Sequence, residues 1–328
     1  MRREQVFWGW GEPGAGPSLP AHADALLRER LGIAGGVVST PVPLEQVRLG
    51  PATLPDGLRE RLAAVAELRD DREARVLRCR GKSYLDLLAQ RGGDCEAAPA
   101  AVVAPADAAG VAAVLRECAQ EGIAVVPFGG GTSVVGGLDG EPPFVSLDLG
   151  RMDRVLSVDP RSRIAVFEPG IRLPEADAAL RAHGLALGHV PQSYEWATIG
   201  GCAATRSAGQ TSTGHDRFDR QVVAIECVTP AGSLATLETP ASAAGPALRE
   251  LVLGSEGTLG VITRVALRVV PRIEPSFDGW SVGSFAEGAE ILRELVQAGC
   301  APDIARLSDE AETELTVALA GEGGEPAR

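Results

Sequence analysis

The chain has 328 residues, 45% apolar and 23% charged, which fits a soluble globular protein with a large core and room for two or three domains. A net charge of −13 excludes a general binder of nucleic acid or anionic membrane, because either surface repels it. No apolar run approaches the roughly 20 residues of a membrane span, and with aromatics at only 4% the core must rest on Ala, Val and Leu.

The start, MRREQVFWGWGEPG, carries positive charge, but Gly, Glu and Pro break its apolar run at once, so it does not read as a signal peptide. Cys79, Cys95, Cys118, Cys202, Cys227 and Cys300 are widely spaced with no CxxC, and the four histidines add no ligand spacing. The pattern reads as reduced thiols in a cytoplasmic protein without a metal site.

Residues 1–97 form a lead-in region. It is Gly/Pro-rich at GEPGAGPSLP and carries two helical stretches, over 22–31 and 57–69. RGKSYLDLLAQRGGD follows at 80–94 and holds Lys82, the only lysine of the chain. Its GKS triplet does not make a nucleotide P-loop, because Val76 stands where that motif needs a glycine.

Residues 98–275 read as one domain in β-α-β grammar. Val102 and Val103 predict a strand, Asp107 an N-cap, and Val111, Val114, Leu115 and Cys118 one apolar helix face. Gly122 is placed to end that helix, and Ile123–Val126 predicts a buried strand. Further strands are expected over Ile164–Phe167, Val222–Val228 and Val261–Val270, with helices after Pro174 and over Leu248–Leu253. Residues 276–328 begin another unit. A strand is expected over 280–285, an amphipathic helix over 287–298 with Ile291, Leu292, Leu295 and Val296 inward, and a strand over Ile304–Leu307. The chain then fades into GEGGEPAR.

Within this order, VVPFGGGTSVVGG (125–137) sends an apolar strand into three consecutive glycines. It is no Rossmann fingerprint, since Val134 replaces the third glycine, and no Walker A loop, since Gly137 and Leu138 replace Lys and Ser/Thr. Glycines let successive N–H groups converge on an anion, and Thr132 and Ser133 add hydroxyl donors. The loop suits a pyrophosphate held by amide dipoles; a flexible loop that binds nothing is the alternative.

Other stretches sharpen the choice: FVSLDLGRMDRVLSVDPRSRIAVFEPG (144–170), HVPQSYEWATIGGCAATRSAGQ (189–210) and LGSEGTLGVIT (253–263). With the glycine loop, they resemble the vanillyl-alcohol-oxidase (PCMH-type) family of FAD-binding proteins over about 99–270. Within it, FWGWG (7–11), QSYEWATIGG (192–201), ATRSAGQ (204–210) and CAPDIARLSD (300–309) are most similar to the alkyldihydroxyacetonephosphate synthases. The resemblance implies an α+β fold, with an FAD-binding domain of two α+β subdomains followed by an incomplete ferredoxin-like cap.

Carried over by position, it implies Pro127, Phe128, Gly129, Gly130, Gly131, Thr132 and Ser133 around the pyrophosphate of FAD. Gln192, Ser193, Tyr194, Glu195, Trp196, Ala197 and Thr198, with Thr205, Arg206, Ser207 and Ala208, would line the isoalloxazine and ribityl side. Glu256, Gly257, Thr258, Leu259, Gly260, Val261 and Ile262 would follow the adenine and ribose. Arg206 would offset phosphate charge or form a surface salt bridge, and Trp196 reads equally as a core aromatic. His189 and His215 read first as local hydrogen-bond partners. No histidine lies in 125–140, so a non-covalent flavin is expected. Arg306 matches a cap arginine that the family uses in activity, and reads equally as a strand-surface arginine.

The implied reaction is an exchange without net redox. A proton leaves beside the ketone of an acyl-dihydroxyacetone phosphate, fatty acid departs and fatty alcohol enters. The substrate is thus a small or lipid-like molecule, and a homodimer is compatible with the resemblance. Two other readings stay open: an FAD-dependent D-2-hydroxy-acid dehydrogenase or oxidase, and a truncated flavin-binding module without activity. The second arises because the family's C-terminal tyrosine and histidine pair are not matched in this sequence. The run Phe218-Asp219-Arg220-Gln221-Val222 also departs from the family, placing Arg220 at an acidic position and Gln221 at an apolar one.

Overall fold

The computed structural model of the chain describes residues 4–14, 21–32, 39–239 and 243–320. The tail GEGGEPAR and most of GEPGAGPSLP lie outside the described residues.

Helices α1 (Ala21–Leu31) and α2 (Leu58–Val65) come first, and α3 (Arg72–Leu77) and α4 (Tyr84–Arg91) lie between the edge strand of the first sheet and its remaining strands. The single helix expected over 57–69 stops early. Ala66 turns extended, and Glu67–Arg69 becomes strand β1. Cross-strand pairing, with Leu68 opposite Val103, overrides the helical propensity of this short stretch. A capping box starts α4: Ser83 Oγ accepts from the Asp86 amide at 3.1 Å, and Asp86 accepts from the Ser83 amide at 2.9 Å.

Strands β2 (Ala101–Ala104), β3 (Ala124–Phe128) and β4 (Phe144–Asp148) join β1 in a sheet of order β1-β2-β4-β3. The last three run parallel and β1 antiparallel. Helix α5 (Ala108–Gln120) connects β2 to β3 as the periodicity requires. Asp107 caps it by accepting from the Gly110 amide at 2.8 Å, and Val111, Val114, Leu115 and Cys118 are buried. Gly122, at φ +66°, ends the helix and lets the Ile123 amide donate back to Cys118 at 2.9 Å.

The second sheet is antiparallel. It comprises β5 (Val155–Asp159), β6 (Ile164–Phe167), β7 (Val222–Thr229), β8 (Gly232–Ala235) and β9 (Val261–Arg268), in the order β8-β7-β9-β6-β5. Helices α6 (Leu173–Arg181) and α7 (Ile199–Ala204) cover one face. There Phe167, Leu173, Leu180, Ile199, Phe218, Ile225 and Val265 form one buried cluster. Helix α5 is the layer between the sheets, since its apolar face shares a cluster with Val145 and Leu147 of β4 and with Val228 of β7 and Val261 of β9. The α+β architecture therefore consists of two sheet-bearing halves packed through one helix. The loop after β3 emerges at their junction.

Beyond this lie α8 (Phe285–Gln297) and α9 (Glu310–Ala320). The strands expected over 280–285 and 304–307 do not form, because neither segment has a partner strand among the described residues. An unpaired strand leaves its backbone donors and acceptors without a ladder. In consequence Ile291, Leu295 and Val296 of α8 are 42%, 37% and 55% exposed rather than inward.

Asp107→Ala is expected to lower stability by about 1 kcal/mol in urea unfolding, because only the helix cap is lost. An unchanged midpoint would show that α5 is held by its apolar face alone.

Candidate functional site

A cleft of about 900 Å³ opens between the halves, a size at the upper end of small-molecule sites. One wall is the loop after β3, Pro127–Val135, with Gly137, Leu138 and Leu149. The other comes from Pro169, from 191–193, from 197–210 except Ile199, Ala203 and Arg206, and from Glu256, Gly257, Gly260 and Ile262.

The glycines of the first wall are required chiefly by the second wall. A Cβ on Gly130 would stand 2.1 Å from the Trp196 carbonyl oxygen, and one on Gly129 would stand 2.5 Å from Thr198 Oγ1. The positive φ in this loop, +66°, belongs to Gly131, where a Cβ would also strike the Phe128 ring at 2.6 Å. Thr198 is 1% exposed and caps α7, accepting from the Gly201 amide at 3.2 Å. Gly200 is pressed on Pro169, and Gly209 on the Val190 carbonyl, with Cβ distances of 2.5 Å in each case.

The turn 254–257 completes the second wall. Its Gly254 and Glu256 amides donate to Ala203 and Ala204 of α7 at 3.1 and 3.0 Å. Glu256 and Gly257 take φ of +48° and +85° to make the bend.

The cleft can hold a large anion. Among the described residues, none of the amides of Gly130, Gly131, Thr132 and Ser133 donates to a protein acceptor. A left-handed residue such as Gly131 lets successive amides of a loop turn toward one side, as in an anion nest. Among the described residues, no Lys, Arg, His or Tyr lines the cleft, and Glu256 is its only charged wall residue. Neutral donors thus face a site that a phosphate group, a ribityl chain and a ring edge can occupy.

Several expected contacts fall outside the wall. Arg206 is a structural tie: its guanidinium donates to the Leu253 carbonyl at 3.0 Å, to Asp219 at 3.0 Å and to the Glu250 carbonyl at 2.9 Å. Asp219 is 3% exposed and also accepts from Arg217 at 2.9 Å, so these charges neutralise one another away from the cleft. In the departing 218–222 run, Arg220 is exposed, and Gln221 donates to the His215 carbonyl at 3.2 Å. Trp196 lies under the Arg172 guanidinium at 4.9 Å; only its carbonyl meets the glycine loop. Tyr194 packs on the second half's core, while Glu195 is exposed. Thr258 is exposed and donates to Ser255 at 2.6 Å, Leu259 points outward, and Val261 is a core residue. Arg306, expected to act in catalysis, is 71% exposed, pairs with Glu312 and does not line the cleft.

Trp10 and Gln210 line the cleft without having been expected there. The signal for Trp10 was the FWGWG stretch, which had served only as a mark of resemblance.

His189 stands just behind the wall. It is fully buried, its Nε2 lies 3.0 Å from Ser207 Oγ, and its ring meets Phe218 edge-on at 5.1 Å. Burial pushes its pKa down to about 4. Among the described residues no group of three His, Cys, Asp or Glu side chains could hold a metal. All six cysteines are free thiols, and no described helix is long and apolar enough to cross a membrane.

The profile of a family described as an FAD binding domain matches residues 99–238. Residues 99–238 are thus similar to an FAD-binding domain, and FAD is the cofactor. It is similar to the alkyldihydroxyacetonephosphate synthase of Trypanosoma brucei brucei, at 30% identity over 98% of this chain and 57% of that one. It is similar to the Dictyostelium discoideum protein of the same name, at 34% identity over 82% of this chain and 45% of that one. A solved alkyldihydroxyacetonephosphate synthase structure superposes with a TM-score of 0.85 and 27% identity, covering 96% of this chain and 64% of its own. The chain thus spans about half the length of these curated relatives.

Two outcomes are expected. Gly130→Val should emerge colourless from purification, because its Cβ cannot pass the Trp196 carbonyl; a normal flavin absorbance would break the link between this contact and cofactor retention. For His189, the unfolded chain takes up a proton below pH 6.5 and the folded chain only near pH 4. Its contribution is present above pH 6.5 and is lost as pH falls toward 4, a change of roughly 3 kcal/mol. Urea midpoints of His189→Asn should fall less steeply over that range than those of the parent chain.

Proposed function

We propose that this chain is the FAD-binding part of an enzyme of the alkyldihydroxyacetonephosphate synthase type, exchanging the acyl group of acyl-dihydroxyacetone phosphate for a fatty alcohol. One observation carries the proposal: the likeness to such synthases runs over 98% of the chain, far beyond the 99–238 FAD-binding match. It takes in the residue 7–11 segment that reaches the cleft as well as the helices after residue 284.

In this proposal the amides of Gly130–Ser133 hold the pyrophosphate, helped by the Thr132 and Ser133 hydroxyls. Thr205, Ser207 and the 191–193 segment border the ring, and Glu256–Gly257 with Ile262 border the nucleoside end. Bound FAD supplies the electron-accepting ring system. The residues of this chain orient it and exclude water, with the close contact of Gly129 and Gly130 on 196–198 fixing the walls. Proton removal beside the ketone needs a base within hydrogen-bond reach. Among the described residues, no cleft-lining residue is a His, Lys or Tyr, and His189 meets the wall through Ser207. Glu256 is the one carboxylate on the wall and stands at the nucleoside end in this proposal, so we assign the base beside the ketone to a part of the enzyme other than this wall.

Anaerobic addition of acyl-dihydroxyacetone phosphate to the flavin-loaded chain should perturb the visible flavin spectrum without sustained reduction, whereas D-lactate should leave it oxidised. Bleaching by D-lactate would replace this proposal with that of a D-2-hydroxy-acid dehydrogenase.

A further inference from the structure

Two segments outside the 99–238 match press on the glycine loop from the side away from the cleft. Lys82 is 8% exposed, and its ammonium donates to the carbonyls of Val6 at 2.7 Å and Phe7 at 3.1 Å. Its own amide donates to the Ser133 carbonyl at 2.6 Å. A Cβ on the preceding Gly81 would lie 2.2 Å from that same oxygen, so the 81–82 backbone and the loop are in direct contact. Gln5 donates from Nε2 to the Gly130 carbonyl at 3.2 Å. Arg78 joins Glu4 at 2.9 Å to Asp148, at the end of β4, at 2.6 Å. A few residues on, Trp10 enters the cleft wall. Arm, loop and 78–82 segment line, together with residues of the first sheet, α3 and Arg172, a second cavity of about 330 Å³ at the glycines.

Burying an ammonium is unfavourable unless acceptors surround it. Here the bonded acceptors are two backbone carbonyls of the arm, and the Asp86 carboxylate acts on the ammonium only through its charge. Burial drives the amine down to about 8. What the arrangement gains is a joint: one residue binds the arm through its side chain and the glycine loop through its backbone. Three successive glycines are intrinsically soft, and affinity is lost when a binding loop must be ordered by its ligand. A loop held from behind avoids that loss.

We propose that Lys82 is a positioning residue for the flavin site, fastening the arm of residues 4–10 to the back of the glycine loop so that the loop amides are preset and Trp10 closes the wall. Resting as it does on the flavin-binding reading of the cleft, the inference adds a residue and a segment that lie outside the FAD-binding match. Coupling between sites is reciprocal. If the fastened arm strengthens FAD binding, bound FAD must in turn keep the arm fastened.

Because Lys82 is the only lysine, its ε-amine is the only one that amine-directed reagents can modify, apart from the chain terminus. Reductive methylation of the full chain, followed by peptide mass spectrometry, therefore reports opening of the arm. Saturating FAD should slow methylation of Lys82 about tenfold relative to the flavin-free chain, and Lys82→Met should weaken FAD binding by about the same factor. Lys82→Arg, which can still reach the Val6 and Phe7 carbonyls, should restore most of the affinity. A purely structural lysine would alter unfolding without linking its labelling rate to FAD. Equal methylation rates with and without bound FAD, or a Lys82→Met chain that binds FAD like the parent, would overturn the inference and leave the flavin assignment intact. If Lys82→Met fails to fold, the labelling experiment on the unaltered chain still decides. Failure of the unaltered chain to take up any FAD would overturn the flavin reading itself and the inference with it.

Discussion

The site depends on the approach of two bare backbones. The loop after β3 and the segment 196–198 come so close that a methyl group at Gly130 would overlap a carbonyl oxygen. Such a contact tolerates almost no adjustment, because neither partner has a flexible end to move. It sets the spacing of the cleft walls and ties the parallel sheet to the antiparallel one. The same device recurs where the halves meet. A Cβ on Gly170 would fall 1.9 Å from the Leu149 carbonyl oxygen, and its amide donates to Met152 at 2.8 Å. Helix α5 holds the halves together by apolar packing; the glycines determine how closely their edges meet.

Electrostatics follow from that geometry. The chain carries 31 Lys and Arg, yet none of those among the described residues lines the cleft. The nearby arginines are committed elsewhere: Arg206 and Arg217 to Asp219, Arg78 to Asp148 and Glu4. An anion in the cleft meets fixed amide dipoles instead of mobile side chains. Such dipoles act strongly only where water is displaced and the donors are already aimed. The alignment of Gly130–Ser133 is therefore what the surrounding structure has to guarantee.

Much of the framework was legible in one dimension. The apolar face of α5, its Asp107 cap and its Gly122 stop are local features, and they appear where spacing and chain chirality require. Strands β6, β7 and β9 were equally plain as runs of Val, Ile and Ala. Strand β1 was not, because Glu67–Arg69 is extended only through pairing with β2. The segments 280–285 and 304–307 have strand-like composition but no neighbour to pair with. Arg206 shows a similar limit for the site. A lone cation beside hydroxyls and glycines suggests a phosphate partner, and nothing local shows that Asp219, thirteen residues on, is buried beneath it.

The sequence by itself determined the local elements, the glycine-rich loop between strand and turn, and the order of segments that identifies an FAD-binding fold. Those depend on periodicity, capping and the lack of a Cβ, all properties of neighbouring residues. Only the tertiary structure decided why Gly130 must be a glycine, which of the 192–198 residues face the cleft, and that Trp10 and Lys82 belong to its surroundings. These are contacts between positions up to 125 residues apart, such as Gln5 on Gly130, and their existence depends on which surfaces the core brings together.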